Sequence, residues 1–117
     1  MPSDWYTTVI DAQDVDGLAR FWQRVLGYQV LYQADDEVVI GKDEHTEPAL
    51  VFVPVPEHKS GKNRLHIDLK PDDRDAEVER ILALGATRAD VGQGDEVTWV
   101  VLADPEGNEF CVLRSRD

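Results

Sequence analysis

LADPEGNEFCVL, residues Leu102–Leu113, sets two apolar runs on either side of a turn. Asp104, Pro105, Glu106, Gly107 and Asn108 supply the turn chemistry: the proline ring presets φ, and Gly107 and Asn108 tolerate positive φ. A hairpin alone is unspecific, so its context has to decide the fold. Upstream, Thr87–Val91 and Glu96–Ala103 read as strands, and Glu109–Arg114 is the last one. Before them Asp72 or Asp73 caps a helix that stops at Gly85, with Val78, Ile81, Leu82 and Leu84 as its apolar stripe. Ahead of that helix Asn63–Lys70 alternates, with Leu65, Ile67 and Leu69 on one side and Arg64, His66 and Asp68 on the other. The second half of the chain therefore reads strand, helix, three strands.

The first half repeats that order. Trp5–Asp11 is rich in aromatic and β-branched residues and reads as a strand. Asp14 caps a helix to Leu26 that Gly27 ends, with Leu18, Phe21, Trp22 and Val25 on one face. Strands follow at Tyr28–Gln33 and Glu37–Gly41, then the polar loop KDEHTEP, then a strand at Ala49–Val55. A gapless shift of 58 residues lays Asp14 on Asp72, Leu26 on Leu84, Gly27 on Gly85, Val39 on Val97 and Phe52 on Phe110. So few identities approach chance; their places, at helix starts, helix stops and strand positions, carry the argument. A strand–helix–three-strand unit leaves one sheet face uncovered, so two copies bury it together or enclose a cavity. The expected fold is α+β: two βαβββ modules related by a pseudo-two-fold, with curled sheets around a cleft and helices outside. The whole chain, 1–117, forms one domain on this reading, with module one at about 5–56, a linker at 57–62 and module two at about 63–114.

The bulk chemistry narrows the function classes. The 24 acidic against 12 basic side chains give a formal net charge of −12, which disfavours nucleic acid and anionic membrane as partners. It would favour a cationic ligand. The one cysteine, Cys111, excludes an internal disulfide. The longest apolar runs, ALVFVPV and WVVLA, are too short to span a bilayer, and MPSDWYTT does not read as a signal peptide. A soluble, cytoplasmic protein is expected. The chain has no Gly-rich phosphate loop, no nucleophile elbow and no CxxC pair.

Three stretches carry a resemblance. DVDGLARFWQRVLGY (Asp14–Tyr28), KNRLHIDL (Lys62–Leu69) and DPEGNEFCVL (Asp104–Leu113), with LGA (Leu84–Ala86), resemble the vicinal oxygen chelate superfamily, which holds glyoxalases, bleomycin-resistance proteins and extradiol dioxygenases. The combination is most similar to a bacterial, actinobacterial-looking branch of glyoxalase-like domains. The resemblance covers nearly the whole chain. It implies a homodimer with a small-molecule ligand, and metal ligands, where present, on the first and last strands of each module.

Under the shift of 58, those ligand-type positions are Thr8, Val53, His66 and Cys111. Only His66 and Cys111 can bind a metal, whereas a catalytic zinc normally takes three protein groups. The expectation is therefore a metal-free small-molecule-binding protein of the drug-binding type, with no cofactor and a site built from Thr8, Arg64, His66, Trp99, Glu109 and Cys111. Glu109 shares its side of the strand with Cys111. The alternative is a metal-dependent lyase, isomerase or dioxygenase in which His66, Glu109 and Cys111 hold a divalent ion. Lys59, Lys62 and Arg64 form a basic cluster that would attract a carboxylate or phosphate. Trp22 is expected in the core and Trp99 mid-strand, as a wall for a planar ligand.

Overall fold

The computed structural model describes residues 2, 4–57, 60–61, 67–89 and 99–113. The chain divides into two compact units, Met1–His58 and Lys59–Asp117. In the first, β1 (Thr7–Ala12), α1 (Val15–Leu26), β2 (Gln29–Ala34), β3 (Glu37–Gly41) and β4 (Ala49–Pro54) build a sheet of order β1-β4-β3-β2. In the second, β5 (Ile67–Leu69), α2 (Arg74–Ala83), β6 (Thr87–Arg88), β7 (Val100–Ala103) and β8 (Glu109–Val112) build the order β5-β8-β7-β6. In both, the first strand lies parallel to the last and the other pairings are antiparallel. The α+β fold of two βαβββ modules is as expected.

The helix boundaries follow from the residues named for them. The Asp14 carboxylate accepts from the Gly17 amide at 3.1 Å and caps α1. Gly27 ends the helix at φ 70°, the left-handed conformation that only glycine adopts cheaply. Asp73, rather than Asp72, caps α2 by accepting from the Ala76 amide at 3.2 Å. The α1 stripe is buried as expected: Leu18, Phe21, Trp22 and Val25 all lie in the core. Phe21 and Trp22 meet edge to face, with ring centroids 5.3 Å apart. The α2 stripe is narrower than expected. Val78 and Ile81 are buried, whereas Leu82 and Leu84 are half exposed.

The turn forms as read, and one expectation at the third strand fails. Gly107 does take positive φ, at 88°, but Asn108 does not. Asn108 instead donates from its backbone and side-chain amides to the buried Asp104 carboxylate at 2.9 and 3.0 Å. The gapless shift breaks. Phe52 pairs with Val38, and Phe110 pairs with Leu102, so the counterpart of Val38 lies 64 residues on, not 58. Module two has a longer connection before its third strand and a shorter hairpin after it. Val97, expected opposite Val39, lies outside the described residues.

Candidate functional site

Pairing fixes which side chains share a sheet face, because residues directly opposite point the same way. In module one Ile10, Val38 and Phe52 are mutual partners. Gln33, opposite Val38, donates to Asp16 of α1 at 3.4 Å, so this is the helix face. Val9, Val39 and Val51 occupy the other face, with Tyr32 opposite Val39. In module two Ile67, Leu102 and Phe110 share a face with Arg88, which reaches Glu79 of α2 at 3.6 Å. The opposite face carries Asp68, Cys111, Val101, Glu109 and Ala103. Each module thus has one face under its helix and one turned away from it, and the chemistry-bearing strand residues lie on the second.

That register corrects one expected site residue. Thr8 is opposite Leu50, next to Ile40, on the α1 side of the sheet. With Phe52 matched to Phe110, Ile10 matches Ile67 and Asp11 matches Asp68, a spacing of 57 in the first strand. The repeated Ile-Asp pair is a sequence identity that the gapless overlay hides. One residue earlier, the position matched with His66 is Val9, which lies on the open face and is 57% exposed. At this spacing the module-one residue that matches His66 in sequence is Val9, not Thr8, and Val53 remains the mate of Cys111. Arg64 and His66, like Lys59 and Lys62 of the basic cluster, lie outside the described residues. Trp99 stands immediately before β7 rather than within it, and 39% of it is exposed.

Glu109 and Cys111 share the open face of module two, as expected, and Asp68 is directly opposite Cys111. Burial pushes the Cys111 thiol up, and the Asp68 and Glu109 carboxylates push it further in the same direction. Both causes disfavour the thiolate, the form that binds metal. Among the described residues no three His, Cys, Asp or Glu side chains form a metal-holding group. The described donors therefore do not fit the divalent ion that the superfamily implies.

The polar loop of module one is folded close against its sheet. Gly41 ends β3 on the open face, and a Cβ there would come within 2.8 Å of Leu31 and 3.0 Å of Thr46. The missing side chain lets the 42–48 loop lie close against the strand. The loop is folded on itself: the Asp43 carboxylate accepts from the His45 amide at 2.8 Å, and the Thr46 hydroxyl accepts from the Asp43 amide at 2.8 Å. Between loop and sheet runs a trough of about 550 Å³, floored by Val9, Val39 and Val51 and walled by Tyr6 and Tyr32. Its lining includes Glu37, Glu44 and Glu47. Alternation along β1 and β3 marks the floor in the sequence; nothing local marks the loop's return over it.

Comparison with known proteins agrees with this geometry. Residues 7–113 match the model of a family described as a glyoxalase-like domain. No curated protein matches the chain in sequence. Among solved structures, a glyoxalase/bleomycin resistance/dioxygenase family enzyme from Burkholderia phytofirmans PsJN superposes with a TM-score of 0.76 at 20% identity, covering 96% of this chain and 98% of that one. The trypanothione-dependent glyoxalase I of Leishmania major gives 0.70 at 17% identity, over 98% and 88%. A bleomycin-binding protein in complex with bleomycin gives 0.59 at 16% identity, over 97% and 100%. At these identities the likeness is one of fold.

Proposed function

Because this chain belongs to the glyoxalase-like domain family, we propose that it is a metal-free small-molecule-binding protein of the drug-binding type. The observation that carries the reading is the donor set. The open-face positions of module one matched with His66 and Cys111 are Val9 and Val53, which offer no ligand, and Cys111 itself is held as a thiol. One related fold binds bleomycin, which supports binding as a use of this architecture. On this reading Trp99, Glu109 and Cys111, with Arg64 and His66, contact the ligand from module two. Val9 replaces Thr8 on module one. The protein works in the cytoplasm as a homodimer, because two short sheets leave edge strands for a second copy to cover.

The competing reading is a lyase, isomerase or dioxygenase whose metal sits on His66, Glu109 and Cys111. The shared face of Glu109 and Cys111 favours it. Elemental analysis of the untagged chain, purified without chelator, separates the two. Well under one equivalent of zinc, nickel or manganese is expected, with thermal unfolding insensitive to added chelator. Stoichiometric metal that disappears in His66→Ala would sink the binding-protein reading.

A further inference from the structure

We propose that the module-one trough is a binding site for a small organic cation with a flat apolar body. The inference rests on the small-molecule reading above and assigns it a place and a ligand class that the module-two residues do not supply.

Three observations converge. The first is unspent apolar surface: Val9 is 57% exposed, Tyr32 55% and Tyr6 70%, and all three line one hollow. Its size, about 550 Å³, lies within the range of small-molecule clefts. The second is its walls. Two tyrosines line it, and the quadrupole of a tyrosine ring attracts a cation held over its face. The third is charge. Among the described residues, Glu37, Glu44 and Glu47 line the trough, no lysine or arginine does, and His45 is the only lining group able to become cationic. An anion would meet three carboxylates. A neutral planar molecule would gain the floor but leave the charge unanswered. A second copy of this chain would bring its own share of a net charge of −12 against the same glutamates. A cation with an aromatic or alkyl body uses floor, walls and rim together.

The test is isothermal titration of the full chain with three probes of one shape: meta-hydroxyphenyltrimethylammonium, its neutral isostere meta-tert-butylphenol, and meta-hydroxybenzoate. The ammonium should bind about tenfold tighter than its isostere, and the benzoate weakest. Added salt should narrow the gap. Tyr32→Ala should weaken the ammonium about fivefold, and Glu47→Gln about threefold while leaving the isostere unchanged. Both side chains are exposed, and an unchanged urea midpoint confirms that each variant folds. Equal affinity for ammonium and isostere would overturn the proposal, as would ammonium binding that ignores both substitutions. Binding of isostere or benzoate that responds to Glu109→Gln but not to Tyr32→Ala overturns the trough and leaves the small-molecule reading standing. No binding of any probe overturns the trough and weakens that reading as well.

Discussion

Modules one and two share a strand order and divide their burial unequally. α1 spans 12 residues and buries six of them, Val15, Leu18, Ala19, Phe21, Trp22 and Val25. α2 spans 10 and buries two, Val78 and Ile81. The module-one strands run to five or six residues, and the described module-two strands to between two and four. The open faces differ too: each carries an aspartate, Asp11 or Asp68, but it stands with Val9, Val51 and Val53 on one and with Glu109 and Cys111 on the other. Topology and core depth are therefore set by different residues. Caps, helix-ending glycines and strand alternation fix the order of elements. How much each helix buries depends on its stripe, and the two stripes are free to diverge.

The sharpest way to break the comparison is to empty the same core position in each module. Phe52 and Phe110 are fully buried on matched strands, each beneath its helix. Phe52→Ala and Phe110→Ala should each cost about 3–5 kcal/mol in urea unfolding, from lost transfer energy plus the cavity left behind. Phe110→Ala should fall at the lower end, because the shallower α2 has more freedom to settle into the void. A cost for Phe110→Ala above that of Phe52→Ala would show that core depth does not follow the helix stripe.

The next contrast lies in the hairpins between third and fourth strands. Each is organised by an aspartate that accepts backbone amides. Asp104 is buried and takes the Glu106 and Asn108 amides at 3.0 and 2.9 Å. Asp43 is exposed and takes the His45 amide at 2.8 Å. Asp104→Ala should cost about 2–3 kcal/mol, because the Glu106 and Asn108 backbone amides and the Asn108 side-chain amide lose their acceptor in a water-poor site. Asp43→Ala should cost under about 1 kcal/mol, since water replaces the carboxylate. Equal losses would mean that burial does not separate the two turns.

These hairpins also show where the sequence stops being readable. DPEGN announces its turn, and the turn is there. That Asp104 is its anchor depends on burial, which a local pattern does not encode. The helix caps Asp14 and Asp73 and the stop at Gly27 were legible because each acts on neighbours within four residues. The partner of Phe110 follows from the length of the 104–108 turn, which sets Ala103 opposite Glu109 and Leu102 opposite Phe110, whereas the gapless shift gives that turn the length of the 42–48 loop. A separate offset of one residue, a spacing of 57 rather than 58 in the first strand, sets Thr8 on the α1 side, because in a strand one residue changes the face. The trough escaped for a third reason. Its loop returns over the sheet because Gly41 leaves room, and an isolated glycine at a strand end reads equally well as a simple terminus.

The helix-ending glycines give a smaller test. Gly27 sits at φ 70° with nothing within 4 Å of an added Cβ. Gly85 sits at φ 123°, where the nearest atom would be Cγ of Pro105 at 3.8 Å. Neither site is crowded, so the backbone decides. Gly27→Ala should cost about 1 kcal/mol and Gly85→Ala about 2 kcal/mol, since the second conformation lies further from any well an L-residue adopts. Asparagine, which tolerates the left-handed region, should recover much of the loss at 27 and little at 85. Thermal melts of the four variants check the ordering, and recovery at both positions would contradict it.

The smallest effect isolates the open-face position where module two carries a thiol and module one a valine. Val53 stands opposite Asp11 as Cys111 stands opposite Asp68. Burial first, then Asp68 and Glu109, raise the thiol above its ordinary range near ~8.5. A raised folded-state value means that the native chain keeps the proton after the unfolded chain has begun to lose it. The stability held by the thiol is therefore fully present below the unfolded value and drains away as pH climbs through the folded one. Cys111→Val gives module two the residue of module one and removes that contribution. Other alkaline groups titrate equally in both proteins, so the difference between their urea midpoints, followed upward from about pH 8, reports the thiol alone. It should tilt steadily against wild type. Parallel curves would show that Cys111 ionises alike in folded and unfolded chains. Asp68→Asn should flatten only the smaller share of the slope, because the carboxylate adds to a shift that burial has already begun. A slope abolished by Asp68→Asn alone would instead make charge, rather than burial, the first cause.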